Sequence, residues 1–267
     1  MFLYTLGGLI KDYRIQKRLS QLDVSLKLGW KDTTRISKIE QGRVGKPNRT
    51  TVERIMQALE LTEQERGNFL LVGGYLPSDN EIAKILKDNK QKIDTWQYPA
   101  YLMDFSFRWL YSNPQTLIAA NIPVDKIDWI IKNKPNFLEF PFVSKELLPV
   151  EVMKGEDKDT VKPFAIAEIA AFKTENEPYQ YESWYQKLIK DLMKYEKFRE
   201  LWPKVDQSMY HKKLFDYEYK TMKGTYQGKE LTLHFHITTG KVINDPRFQI
   251  VFYFPANKET EKLYSKS

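Results

Sequence analysis

Cysteine is absent from the 267 residues, so disulfides, thiolate metal sites and cysteine nucleophiles are excluded. Histidine is scarce too, at three residues. His234 and His236 lie two apart, on one face of a strand if that segment is extended, but no third ligand stands at a useful spacing and no metal site is expected. No Gly-x-Ser-x-Gly elbow occurs, and the pairs Gly7-Gly8 and Gly73-Gly74 lack the spacing and the lysine of a phosphate-binding loop. The chain is therefore not expected to be an enzyme or to carry a catalytic cofactor. No apolar run approaches the ~18–20 residues of a membrane span. The opening MFLYTLGGLIKDYR lacks the basic-then-apolar order of a secretory leader, so a cytoplasmic protein without a membrane partner is expected.

What the chain does have is positive charge, and that charge is uneven. The net value is +7, and residues 1–76 hold 13 Lys and Arg against 8 Asp and Glu, which leaves 29 against 27 for the rest. A basic excess gathered at one end points to an anionic partner for that end. Aromatic residues make up 14% of the chain and fall mainly after residue 90. Length and this asymmetry together imply two domains.

The N-terminal stretch reads as five short helices. Leu6, Leu9, Ile10 and Tyr13 follow the spacing of a buried helix face. Ser20 can cap a second helix with Val24 and Leu28 inward, ending at Gly29. Asp32 can cap a third, in which Ile36 and Ile39 turn inward while Thr33, Thr34, Arg35, Ser37 and Lys38 lie on the other sides. A fourth runs from about Thr50 to Leu59, and Thr62 with Glu65 forms a capping box that opens a fifth.

The segments LSQLDVSLKLG, RISKIEQGR and TVERIMQALEL resemble the XRE family of helix-turn-helix proteins over roughly residues 6–61. The resemblance implies that the second helix lies across a DNA backbone and the third enters the major groove of double-stranded DNA. It assigns Gln21 to a phosphate, Thr33, Thr34, Arg35 and Lys38 to base edges or nearby phosphates, and Arg43, Lys46, Asn48 and Arg49 to the backbone. It also sets Arg14 of helix one beside Glu40 of helix three, each orienting the other. The chain departs from the pattern twice: one extra residue lies between Gly29 and Ile36, and Leu22 and Leu26 stand where polar residues are usual. The first could move the base-reading positions by one; the second offers an apolar contact to the other domain or to a second subunit.

LLVGGYLPSDNE reads as a domain junction, and Ile82, Ile85, Leu86 and Ile93 among lysines read as an amphipathic connecting helix. PAYLMDF and RWLYSN then suggest a β-hairpin, helices fill the middle, and Leu231, Leu233 and Phe235 followed by FQIVFYF give a closing strand pair. YPAYLMDFSFRWLYSN, AIAEIAAFK, WYQKLIKDLMKYEKFRELW and VFYFPANKETEKL resemble the ligand-binding domain of MmyB-like regulators, whose fold is PAS-like.

The expected fold is thus an all-α helix-turn-helix domain at 1–77, a connecting helix at 78–97 and an α+β PAS-like domain at 98–267. The resemblance implies an apolar small-molecule ligand such as a fatty acid. Candidate wall residues are Trp109, Tyr111, Trp129, Phe164, Phe172, Tyr185, Trp202, Phe235 and Phe252, with Arg108 and Asn113 for a head group. Helix-turn-helix docking on a pseudo-palindromic site calls for a symmetric protein, so a homodimer is expected. The alternative is a DNA-binding regulator whose C-terminal domain serves only dimerisation or protein-partner binding.

Overall fold

Five side chains that accept hydrogen bonds from free helix-start amides set most of the N-terminal architecture. Thr5, Ser20, Asn48, Thr62 and Ser78 are N-caps, and Ser20 with Asp23, Thr62 with Glu65 and Ser78 with Glu81 form capping boxes. The computed structural model describes residues 5–120, 122–142, 158–208, 220–226 and 229–264, with the side chains at 124, 158–164 and 220–231 outside that description. The chain divides into two units. One comprises residues 1–76 together with 241–247, the other 77–240 together with 248–267.

The first unit contains α1 (Leu6–Gln16), α2 (Gln21–Lys27), α3 (Thr34–Glu40), α4 (Arg49–Ala58) and α5 (Glu63–Val72). Ile10, Val24, Leu28, Ile36, Ile39, Val52, Ile55, Met56, Leu59 and Phe69 close its core. Each such burial contributes roughly 1.5–3 kcal/mol, which is what lets helices of two or three turns persist. α1 approaches α3 so closely that a Cβ at Gly7 would sit 2.4 Å from the Ile39 carbonyl oxygen. The third helix starts differently from the expectation. Its N-cap is Thr33, whose side chain makes no capping bond, while Asp32 Oδ1 accepts from the Thr34 N–H at 2.8 Å. Asp32 thus satisfies a free amide from one position further out than a cap.

The second unit begins with α6 (Asp79–Asp94), which buries Ile82, Ile85, Asn89 and Ile93. It packs against β1 (Ala100–Asp104) and β2 (Trp109–Ser112), so the expected connector is an integral layer of this unit. α7 (Pro114–Ala119) and α8 (Ile127–Asn133) follow, then α9 (Lys158–Asn176), α10 (Ser183–Leu192) and α11 (Glu196–Leu201). The strands β3 (Lys220–Tyr226), β4 (Lys229–Lys241) and β5 (Phe248–Pro255) and the helix α12 (Lys258–Tyr264) complete the unit. The strands form one sheet in the order β2-β1-β5-β4-β3, with β1 antiparallel to both β2 and β5 and β3 antiparallel to β4. This is an α+β arrangement.

β1 and β5 are buried on both faces, which explains why their sequences are nearly continuous apolar runs. Met103, Leu233, Phe235, Val251 and Tyr253 pack with Ile169, Phe172, Tyr185, Leu192 and Phe198 of the helices between β2 and β3. The β1–β2 turn is tied by buried Asp104, which accepts from Ser106 N–H, Ser106 Oγ, Arg108 N–H and Arg108 Nε. Phe107 takes the left-handed backbone at φ 68° inside that turn.

Candidate nucleic-acid interface

Helix α3 advances about 100° per residue, so Ile36, Ile39 and Glu40 share one side and are buried. The opposite stripe is Thr34, Ser37, Lys38 and Gln41, at i, i+3, i+4 and i+7. Thr34, Lys38 and Gln41 are exposed, Ser37 is half-buried, and Gln41 Nε2 donates to Ser37 Oγ at 3.0 Å. Arg35 lies to the flank, its guanidinium carbon 4.6 Å from the centroid of the Trp30 ring. Hydroxyl, amide, ammonium and guanidinium groups are therefore offered from one short helix. These groups supply both donors and acceptors, the repertoire that base edges require. Gln41, the C-cap of α3, joins the stripe by standing seven residues after Thr34, a spacing visible in the sequence.

Behind the stripe, Glu40 fixes the angle between helices. Arg14 Nε and Nη2 donate to its two carboxylate oxygens at 2.6 and 3.0 Å, and Gln21 Nε2 adds a third bond at 2.8 Å. The pair is mostly shielded, and the hydrogen bond to Glu40 raises the Arg14 pKa above its ordinary value. One amide N–H of Gln21 is thereby committed internally.

The loop after α3 divides its work. Arg43 and Lys46 are exposed, but the Lys46 ammonium also sits 4.0 Å from the Tyr75 ring centroid and donates to the Gly74 carbonyl at 3.3 Å. Asn48 accepts from Thr51 N–H at 2.9 Å as the cap of α4. Arg49 Nε donates to Glu53 at 2.8 Å, and its Nη1 reaches the Leu76 carbonyl at 3.4 Å. Asn48 and Arg49 thus first build the loop. Thr33, at the N-cap, is half-buried beside the stripe.

The candidate ligand residues of the second unit fall into separate settings. Trp109 and Trp129 join a cluster with Leu117, Ile122, Ile130 and Phe140. Phe252 stacks edge-on to Trp96, and the Tyr111 hydroxyl donates to Asp94 at 2.6 Å. Phe172, Tyr185 and Trp202 do come together, with Phe172 5.3 Å from Tyr185 and 6.4 Å from Trp202, and Phe235 belongs to the same cluster. Tyr185 and Trp202 also line an open, mostly polar cleft of about 360 Å³ with Lys173, Glu177, Gln180, Gln186, Ile189 and Gln207. Phe164 lies outside the described side chains.

Both head-group candidates have partners within the protein. Asn113 is fully buried; its Nδ2 donates to the carbonyls of Ile93, Trp96 and Tyr98, and its Oδ1 accepts from Ala100 N–H, Thr116 N–H and Thr116 Oγ1. Arg108 is spent on Asp104 and the Pro77 carbonyl. The two polar residues beside the aromatic hairpin thus serve buried groups of their own unit, Asn113 mainly backbone and Arg108 a carboxylate and a carbonyl. His234 and His236 lie on β4, and among the described residues no group of three or more candidate metal ligands gathers.

Residues 5–69 match a family model described as a helix-turn-helix domain. The chain's first unit carries that domain. The match takes in α1 to α4 and most of α5 and points to a DNA-binding regulator. No curated protein matches the chain. Among the described residues no helix is long and apolar enough to cross a membrane.

Proposed function

We propose that the chain is a sequence-specific DNA-binding transcription regulator of the XRE type, working in the cytoplasm as a homodimer. The observation that carries this reading is the exposed stripe Thr34, Ser37, Lys38 and Gln41, flanked by Arg35, on a helix braced from behind by Arg14, Gln21 and Glu40. Lys38 and Arg35 read base edges or adjacent phosphates, Gln21, Arg43 and Lys46 hold the backbone, and Thr33, Asn48 and Arg49 shape the surface around them. The test begins with a duplex selected by the wild-type chain from a randomised pool. Arg35→Ala and Lys38→Ala should each weaken binding by roughly 1–3 kcal/mol if they contact base edges. Wild-type affinity in both variants would remove this face from consideration.

The second unit is read as the signal-receiving domain, PAS-like and MmyB-like, taking an apolar ligand such as a fatty acid. Support comes from the gathering of Phe172, Tyr185, Trp202 and Phe235 in one cluster; the cleft beside Tyr185 and Trp202 is walled mostly by polar and charged side chains, and only those two rings and Ile189 suit an apolar occupant. A ligand acts here only by binding one conformation of the protein better than another. One observation favours the alternative, a purely dimerising or partner-binding domain. Phe107 meets Phe172 edge to face at 5.5 Å and Phe235 meets Tyr253 at 5.4 Å, so these rings interlock as core. Native mass spectrometry of freshly purified protein separates the two. A retained apolar molecule supports the sensor, and an unliganded chain that stays so after incubation with fatty acids supports the alternative.

A further inference from the structure

The unit that holds the helix-turn-helix domain is discontinuous. Residues 241–247, which link β4 to β5 in the sequence, belong to it along with residues 1–76. Its turn is closed by the Asp245 N–H donating to the Val242 carbonyl at 3.2 Å. Gly67 on α5 meets the segment directly. A Cβ there would lie 2.8 Å from Asp245 Cα, 2.9 Å from the Asn244 carbonyl oxygen and 2.9 Å from Pro246 Cδ. Arg247 is 1% exposed; its Nε and Nη2 donate to the two Asp245 carboxylate oxygens at 2.9 and 2.7 Å. Its Nη1 turns to the Tyr75 carbonyl at 3.3 Å.

Tyr75 carries the contact onward. Its hydroxyl donates to the Pro47 carbonyl at 2.5 Å, and its ring receives the Lys46 ammonium. Pro47 and Lys46 belong to the loop between α3 and α4, the loop assigned above to the DNA backbone. A continuous path of buried or half-buried polar contacts therefore runs from Asp245 through Arg247 and Tyr75 to that loop. A guanidinium this enclosed stays in place only while all its partners do, since an unpaired buried charge is heavily penalised.

We propose that residues 241–247 are a strap that positions the α3–α4 loop for DNA. Asp245, Arg247 and Tyr75 are positioning residues, and a change that draws on the ends of β4 and β5 alters DNA affinity through them. The inference rests on the DNA-binding reading for its consequence, but the coupling within the unit can be measured without DNA.

The experiment uses the full chain and the variants Tyr75→Phe, which removes only a hydroxyl, Asp245→Asn and Gly67→Ala. Two quantities are read: affinity for the duplex selected by the wild-type chain, and hydrogen exchange of residues 42–48 in the free protein. Tyr75→Phe and Asp245→Asn should each weaken binding roughly fivefold and speed exchange in the loop, with the preferred duplex sequence unchanged. Gly67→Ala, which must displace the strap, should do more. Unchanged affinity and unchanged loop exchange in all three would overturn the proposal. If the wild-type chain selects no duplex, the DNA-binding reading fails and the exchange result alone decides whether the strap positions the loop.

Discussion

Gly7→Ala sets two physical effects against each other. Alanine is favoured over glycine by up to about 1 kcal/mol in a helix, and by less in the first turn where Gly7 stands, so helix propensity alone predicts a slightly more stable protein. The added Cβ, however, would stand 2.4 Å from the Ile39 carbonyl oxygen, 2.8 Å from the Glu40 carbonyl oxygen and 3.1 Å from the Glu40 carbonyl carbon. These are backbone atoms at the end of α3 and cannot swing aside, so α1 and α3 must separate. Overpacking of this kind costs about 1–3 kcal/mol and more where the obstacle is rigid, and separation also lengthens the Arg14–Glu40 bonds. A net loss of about 2 kcal/mol is expected. Gly8→Ala is the matched control, because only the Thr5 Oγ1 lies near, at 3.2 Å, and a stabilisation of up to about 1 kcal/mol is expected. Urea unfolding of both variants, with hydrogen exchange resolving α1 and α3, reads the difference. A Gly7→Ala protein as stable as its Gly8→Ala counterpart would refute the packing argument.

Two further outcomes follow from the second unit. Asn113→Ala removes a buried amide that lies within hydrogen-bond distance of three backbone carbonyls, two backbone amides and the Thr116 hydroxyl and should destabilise that unit by about 3–5 kcal/mol, measured by calorimetry, with DNA binding by the first unit retained. The buried phenols resist ionisation: burial pushes Tyr179 up to about 12 and Tyr101 well above its ordinary value of 10.0. Between pH 10 and about 12 the unfolded chain releases Tyr179's proton while the folded chain keeps it, so stability present below pH 10 is lost across that window. Tyr179→Phe should shift alkaline unfolding to higher pH, followed by tyrosinate absorbance; an unchanged transition would rule out this tyrosine as a cause.

The helices of the first unit were legible because their signals are local. Ser20, Thr62 and Glu65 cap where the spacing places them, and Ile10, Val24, Ile36 and Ile55 fill the core their periodicity implies. The β1–β2 hairpin and the apolar β5 were legible for the same reason. What escaped were features made by contacts distant in sequence. Nothing around Asn113 reveals that three carbonyls from residues 93–98 converge on it. Nothing around Gly7 or Gly67 marks them as points of backbone contact with α3 and with residues 244–246. The aromatic residues of the second half look alike in sequence, and only the fold separates Phe172, Tyr185 and Trp202 from Trp109, Trp129 and Phe252.

The strap also bears on the order in which the nascent chain matures. Residue 76 leaves the ribosome about 170 residues before residue 247, an interval of roughly 10–30 s at ordinary rates of synthesis. During that time α5 lacks the partner that packs over Gly67, and Tyr75 lacks the guanidinium that holds its carbonyl. The first part of the chain to be made is thus among the last to be finished. A truncated product ending before Arg247 would carry the complete helix-turn-helix sequence without the buried contacts that complete its unit, and under the strap proposal it would bind DNA more weakly than the finished chain.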